Sequence, residues 1–449
     1  MSGNSTANKG EQGESDFTEG RGVSRREFLK IAGIAGAALG LGAGLGGVLS
    51  ACGGETTATT GAATTGASGT TVTTGAASGE PIVIGLLNEQ TGYISNLGME
   101  AHKGAVIGFN TFPSQIAGRE LKYVLEDPAS DPSIALDKAR KLVEIDKVAA
   151  IISPVDSASA LAIGSYVDSV KVPVIRTMFG SEHLTLDYDW IWQPTGTQNQ
   201  CGFGAGFFAI QNGHKVASVL ALESDDGHGF IDGMKLAFAD GGGEVIQEQW
   251  YPIGTSDFAP FVLGVDKSAD VLFSWVASDS IIPGYKALDS FKLYEEIEFI
   301  SPEGWYDSEA IWGEAKDAIT HVTFASVWYN KITTSGSQAF LDAFKAEWDY
   351  IPSNVGAQAY NNVNILVDAM TKTNGDTSGD ALAKALDETS IDGVLGKGFH
   401  FADRIGVMPL YMIRMKKESD TLFTPEVRET YFVTPKVTPD KIEYTVTSA

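Results

Sequence analysis

The sequence predicts an α/β protein built of two doubly wound lobes. Three observations carry this. Short continuous apolar runs alternate with helical stretches of 10–15 residues, the pattern of right-handed βαβ units on a parallel sheet. The alternation lapses near residue 190 and resumes after Cys201, so a second sheet is expected. Long helical stretches then return at 338–348, 357–371 and 381–388. At 449 residues, length alone suggests about three domains of ~150 residues, but two lobes with returning crossovers fit the pattern better.

The elements follow in order. Ile82-Val83-Ile84-Gly85-Leu86-Leu87 is an apolar run suited to a strand buried on both faces. A helix over 98–109 leads to a strand over 121–125. Asp131-Pro132-Ser133 opens a helix that runs to Ile145, with proline in its first turn. Residues 148–152 form a strand, 159–170 a helix and 172–175 a strand. In the second lobe, helix 203–212 precedes strand 216–222, helix 230–240, strand 244–249, a helix near 258–265 and strand 271–275. Residues 298–300 make a further strand. The tail after Lys416 alternates weakly and is expected to add edge strands to the second lobe.

Residues 1–51 read as an address. Arg25-Arg26 precede a Gly/Ala-rich apolar stretch over 31–48, too short and too weakly apolar for a permanent span, and look like a twin-arginine export signal. Leu49-Ser50-Ala51-Cys52 looks like a lipobox, with Cys52 as the acylated new N-terminus. Residues 52–80 form a Gly/Ala/Thr tether. Residues 53–79 cannot bury enough apolar surface to order themselves, and as a coil they reach roughly 30 Å. Only Cys201 then remains as a thiol, read as a small buried hydrophobe.

Acids outnumber bases 57 to 32, a net charge of −25, which disfavours nucleic acid and anionic lipid as partners. The sequence holds no metalloprotease, nucleophile-elbow or phosphate-loop motif, and six histidines lack ligand spacing. No metal, no cofactor and no enzymatic activity are expected, although a Ser/His pair assembled by the fold stays open.

An ordered set of short stretches carries a resemblance. It comprises Ile84-Gly85-Leu86-Leu87 with Thr91-Gly92; Ile116-Ala117-Gly118-Arg119-Glu120-Leu121 with Glu126-Asp127 and Asp131-Pro132; Ala150-Ile151-Ile152-Ser153-Pro154-Val155-Asp156-Ser157; Val172-Pro173-Val174-Ile175; Gly227-His228-Gly229; Ser301-Pro302-Glu303-Gly304; and Gly396-Lys397-Gly398-Phe399 with Phe401. Over about residues 81–415 the chain resembles the solute receptors of ABC importers, the branched-chain amino acid-binding family of type I periplasmic binding proteins. The resemblance implies two lobes joined by three crossover strands, near 193–197, 325–329 and 399–409. The expected division is 81–195 with 328–398 for the first lobe, and 196–327 with 399–449 for the second.

The resemblance also implies a site. The solute's carboxylate would meet Ser157 at a helix start, where free N–H groups and the positive dipole end lie. Gly180 and Ser181 match the family's second polar contact, and Glu303 the acid that accepts an ammonium. His228 stands where an aromatic before Gly229 is usual. Each residue has a bland reading too. Ser157 is equally a helix N-cap, Glu303 a surface turn, and His228 a satisfied loop histidine. Asp156 is a solvated loop acid or, if buried beside Ser157, a group that repels a carboxylate. Tyr93, Phe179, Trp275 and Trp305 fall at strand carboxyl ends and suggest an aromatic pocket, though each alone is more often core.

The function implied is a monomeric, lipid-anchored, extracytoplasmic receptor. It would hand a branched-chain or other apolar or aromatic amino acid to ABC permease subunits, touching the membrane only through its lipid. The alternatives are the same fold binding an amide, urea, short peptide or aromatic acid, or acting as a ligand sensor.

Overall fold

A computed structural model describes residues 79–304 and 307–448. Arg25, Arg26, Cys52, nearly all of the tether and Trp305 therefore lie outside the described residues.

The first lobe begins with β1 (Ile82–Leu87), α1 (Ser95–Thr111), the short β2 (Gln115–Ile116), β3 (Arg119–Glu126), α2 (Pro132–Glu144), β4 (Ala150–Ile152), α3 (Ser157–Val170), β5 (Val174–Ile175), α4 (His183–Leu186) and β6 (Ile191–Trp192). The sheet order is β2-β3-β1-β4-β5-β6, parallel except for the β2–β3 hairpin. Helices on both faces explain why β1 is apolar along its whole length: Ile82, Ile84, Leu86 and Leu87 are all buried. At α2 the Asp131 carboxylate accepts the N–H groups of Ser133 and Ile134 at 2.8 and 3.0 Å, and Pro132 needs no partner in the first turn.

The second lobe runs α5 (Gln198–Gln211), β7 (Val216–Leu222), α6 (Asp225–Asp240), β8 (Glu244–Tyr251), α7 (Ala259–Leu263), β9 (Val271–Trp275), α8 (Ile281–Ser290), β10 (Glu298–Ser301), α9 (Glu309–Ala315) and β11 (Val322–Ser326). The chain then returns through α10 (Ser335–Trp348), α11 (Asn354–Lys372) and α12 (Gly379–Asp387), with α11 packed along α1 of the first lobe. Three strands, β12 (Ser390–Gly393), β13 (Gly396–Ala402) and β14 (Ile405–Val407), make a small antiparallel sheet of their own. Finally β15 (Pro409–Lys417), β16 (Phe423–Val437) and β17 (Ile442–Ser448) extend the second sheet, whose order is β17-β16-β15-β11-β10-β9-β7-β8. The tail thus supplies antiparallel edge strands.

The third crossover differs from expectation. Asp403 and Arg404 both adopt left-handed backbone, φ 51° and 66°, and turn the chain back on itself. The stretch from Phe399 is therefore a hairpin, β13–β14, and not one hinge strand. Its return strand meets the first crossover. Gln193 N–H donates to Arg404 C=O and Gly406 N–H to Gln193 C=O, both at 2.8 Å.

Candidate functional site

The two sheets share one winding pattern. Five strands of each stand in the order β3-β1-β4-β5-β6 and β8-β7-β9-β10-β11, so the chain leaves the first and third of each unit in opposite directions. A crevice opens at such a switch point, beyond the carboxyl ends of the strands. In the first lobe these ends carry Asn88 and Glu89, and residues 153–157. In the second they carry residues 223–226 and those after Trp275. The switch point therefore places Glu89, Asp156 and Ser157 in one lobe, and Asp226 and Trp275 in the other, around one cleft.

Within the cleft Arg176, just past β5, is fully buried. Its guanidinium donates to Pro154 C=O, to Val155 C=O at 2.6 Å and to Ser157 Oγ at 3.1 Å. Ser157 Oγ also accepts Gln198 Nε2 at 3.0 Å and the Ser181 N–H at 3.3 Å. Gln198 Nε2 reaches Asp226 Oδ1 as well, and Ser157 N–H points at Asp226 Oδ2, a weak bond at 3.5 Å. Glu89 accepts the N–H groups of Val155 and Asp156 at 3.0 and 3.1 Å. Gly98 in α1 makes room for this loop: a Cβ there would stand 2.1 Å from Glu89 C=O.

Four acids surround one guanidinium, and burial dominates the titration of Glu89, Asp226 and Glu303. It raises Glu89 to about 7, against the pull of the Val155 and Asp156 N–H groups. It raises Asp226 to about 6, helped by repulsion from Asp156 and opposed by Arg176. It lifts Glu303 well above the usual carboxylate range, with Asp226 adding to the rise and Arg176 opposing it. Burial lowers Arg176, while Asp226, Glu89, Asp156 and Glu303 all act to keep it charged. Glu303 is 1% exposed, and among the described residues neither of its carboxylate oxygens has a hydrogen-bond partner. A buried acid in that condition is costly unless something absent from the chain completes it.

The expected site residues fare differently. Ser157 and Ser181 meet in the cleft, and Glu303 is buried beside the cluster, not on a surface turn. Asp156 is buried beside Ser157, the second of its two readings and not the solvated one: it is 3% exposed and caps α3, accepting Ser159 N–H at 2.9 Å and Tyr93 OH, also at 2.9 Å. Ser157 is thus the first helical residue, with Asp156 as its N-cap. Gly180 is held by the first crossover. Its N–H donates to Gly196 C=O at 3.2 Å and its C=O accepts Gln198 N–H at 2.9 Å, so its backbone is engaged with the crossover. A Cβ there would lie 2.1 Å from Gln193 Oε1, so the Gln193 amide would have to shift to admit a side chain. His228 lies within α6, half-exposed, stacked on Trp250 at 3.9 Å and 2.9 Å from Glu223 Oε1. It borders an open groove of about 410 Å³ at the cleft mouth, shared with Ser181, while Asp226 takes the inward place. Phe179, Phe230 and Trp275 form a buried aromatic row, with ring centres 5.9 and 5.2 Å apart.

Sequence reasoning missed Glu89, Arg176, Gln198 and Asp226. A signal existed for two of them. Glu89 follows the first strand and Arg176 the Val-Pro-Val-Ile strand, both at the carboxyl ends where such sheets bind ligands. Asp226 reads as an ordinary acid in the first turn of a helix, and nothing local marks it.

Comparison with known proteins agrees with this architecture. The model of the periplasmic binding protein family matches residues 81–420, and the chain belongs to that family. Among curated relatives, Leu/Ile/Val-binding protein homolog 6 of Brucella suis is 22% identical over 47% of this chain and 54% of its own, so this chain spans about half of that relative. Leu/Ile/Val-binding protein homolog 7 of Brucella abortus is 23% identical over 71% of this chain and 85% of its own. An ABC transporter substrate-binding protein from Sphaerobacter thermophilus superposes with TM-score 0.73 at 25% identity, covering 78% of this chain and 97% of that one. A solute-binding protein of an ABC transporter from Rhodopseudomonas palustris, in complex with 3,4-dihydroxybenzoic acid, gives 0.72 at 23%, covering 77% and 96%. Among the described residues no helix is long and apolar enough to cross a membrane, and no group of three or more His, Cys, Asp or Glu side chains is placed to hold a metal.

Proposed function

We propose that this chain is the solute-capturing component of an ABC importer, closing its lobes over a small amine-bearing solute with an apolar or aromatic side chain. That class includes the branched-chain and aromatic amino acids expected from the sequence. One observation carries the reading: Glu303, buried beside the cleft cluster with both oxygens unpartnered among the described residues. An ammonium meeting that carboxylate makes charge-assisted hydrogen bonds worth roughly 1.5–3 kcal/mol each. A few of these, with the Phe179–Phe230–Trp275 row as an apolar wall, suffice for micromolar binding at about −8 kcal/mol.

The Rhodopseudomonas palustris neighbour holds an aromatic acid, which keeps an aromatic acid as the second reading. It is the weaker one, since that anion would share the cleft with Glu89, Asp226 and Glu303. Export through Arg25 and Arg26 and anchoring through Cys52 belong to the same proposal. Loss of fatty-acid labelling in Cys52→Ser, with the body released from the membrane, tests them.

The site is tested by calorimetric titration with amine-bearing and amine-free solutes. Glu303→Ala is expected to lose at least the value of one charge-assisted bond, about tenfold in Kd, for amines alone. Undiminished amine affinity in that variant removes Glu303 from the site.

A further inference from the structure

Closing the lobes brings like charges together. The first lobe carries Glu89 after β1 and Asp156 capping α3, and the second carries Asp226 in α6 and Glu303 after β10. All four are buried in the closed cleft. Arg176 is the only Lys or Arg buried among the described residues. Its guanidinium bonds run to two main-chain carbonyls and Ser157 Oγ, not to a carboxylate. The first-lobe acids find donors in their own lobe, whether or not the lobes meet. Glu89 takes the Val155 and Asp156 N–H groups, and Asp156 takes Ser159 N–H and Tyr93 OH. The second-lobe acids gain little from the first lobe. Asp226 meets Gln198 Nε2 from the neighbouring α5 and, weakly at 3.5 Å, the Ser157 N–H. Glu303 has no partner for either oxygen among the described residues. Four acids against one guanidinium leave the closed cleft short of positive charge, and such a deficit is costlier in a dry interior than in water.

We propose that closure of this cleft is gated by added positive charge: the lobes close over the four acids when a solute's ammonium or a proton joins them, and stand apart when neither does. The inference rests on the cleft being the solute site and adds a regulation by protons to it. Its sign follows from the two arrangements. Carboxylates that face water titrate near about 4. In the closed cleft burial, then repulsion from Asp156, raises Asp226 to about 6, and burial, then Asp226, lifts Glu303 well above the usual carboxylate range. Glu89 shifts the same way, to about 7, and Asp307 adds repulsion at Glu303. Arg176 is the charge that opposes the rises at Asp226 and Glu303, and the buried Cys201 thiol beside Glu303 is pushed up and stays neutral. Groups that hold protons more tightly when closed take them up on closing, so acid favours the closed arrangement. Between pH 8 and pH 5.5 Asp226 alone changes the closed-to-open ratio about fourfold, and Glu303 adds to it.

The test is small-angle scattering of the solute-free full chain at pH 8 and at pH 5.5, with phenethylamine, phenylalanine and leucine each added at pH 8 for comparison. The radius of gyration of the solute-free protein is expected to fall on acidification, toward the value that a bound solute gives at pH 8. Asp226→Asn keeps the shape of the side chain without its charge. That variant is expected to be more compact than the wild type at pH 8 without solute, and to respond less to acid. A wild-type radius that is unchanged or larger in acid overturns this inference, and compaction by a solute in the same experiment then leaves solute capture standing. An Asp226→Asn protein whose radius and acid response match the wild type overturns it as well. If that variant fails to fold, the wild-type response to acid decides alone. Compaction by acid with none of the three solutes bound supports the proton gate and counts against capture of an amine.

Discussion

Glu89 and Asp226 make the cleft sensitive to pH, and the sign follows from their raised titration. In the unfolded chain both are ionised above about pH 5. Folded, Glu89 titrates near 7 and Asp226 near 6, because burial disfavours their charge. Between those limits the folded state holds more protons than the unfolded one, so stability falls as pH rises from about 4.5 to 7. Glu89 alone contributes on the order of 3 kcal/mol to that loss. The urea midpoint of the solute-free protein is therefore expected to fall from mildly acidic to neutral pH, and Glu89→Gln to flatten that dependence. A wild-type midpoint that climbs over the same range contradicts the assignment. Part of this cluster was legible in the sequence. Ser157 and Glu303 sit in stretches whose order marks the cleft, and both lie there. Asp226 was not legible, because its burial depends on a second lobe meeting the first, and no local pattern encodes that meeting. His228 drew the eye instead, since it neighbours the same glycines but faces outward.

At the scale of elements, the long ones followed from apolar periodicity and their caps. β1, α2, β7 and β9 lie within a residue or two of where the pattern puts them. The two-residue strands β2, β5 and β6 are too short to show alternation, and β5 was legible only because prolonged by Val172-Pro173. The β13–β14 hairpin was missed because its turn uses Asp403 and Arg404 at positive φ, where glycine is the usual marker. One element carries a sharp packing test. In α1, Gly98 → Ala gains up to about 1 kcal/mol of helix propensity, yet its Cβ would stand 2.1 Å from the backbone carbonyl of Glu89. The obstacle is main chain, so the overpacking cost of typically 1–3 kcal/mol wins. Denaturant unfolding is expected to show net destabilisation of about 1–2 kcal/mol, with weaker solute binding as the Glu89 loop shifts. A more stable Gly98→Ala protein would mean that α1 can move away freely.

For the molecule as a whole, the closed cleft is held by contacts that cross between lobes. Asp226 and Gln198 both meet Ser157, and at the cleft edge Tyr444 of β17, bonded to Thr197 Oγ1 at 2.7 Å, donates to Glu182. The tail strands thus do more than cover an edge: they bring Tyr444 to the first lobe. Crossovers that contact one another at Gln193 and Ile405 give the lobes a common pivot. The proposed function depends on movement about that pivot when solute binds. Small-angle scattering of the full chain, with and without saturating phenethylamine, tests it most directly. A smaller radius of gyration is expected in the bound state, as the lobes populate the closed arrangement. An unchanged scattering curve, with calorimetry proving that the amine is bound, would contradict capture by closure.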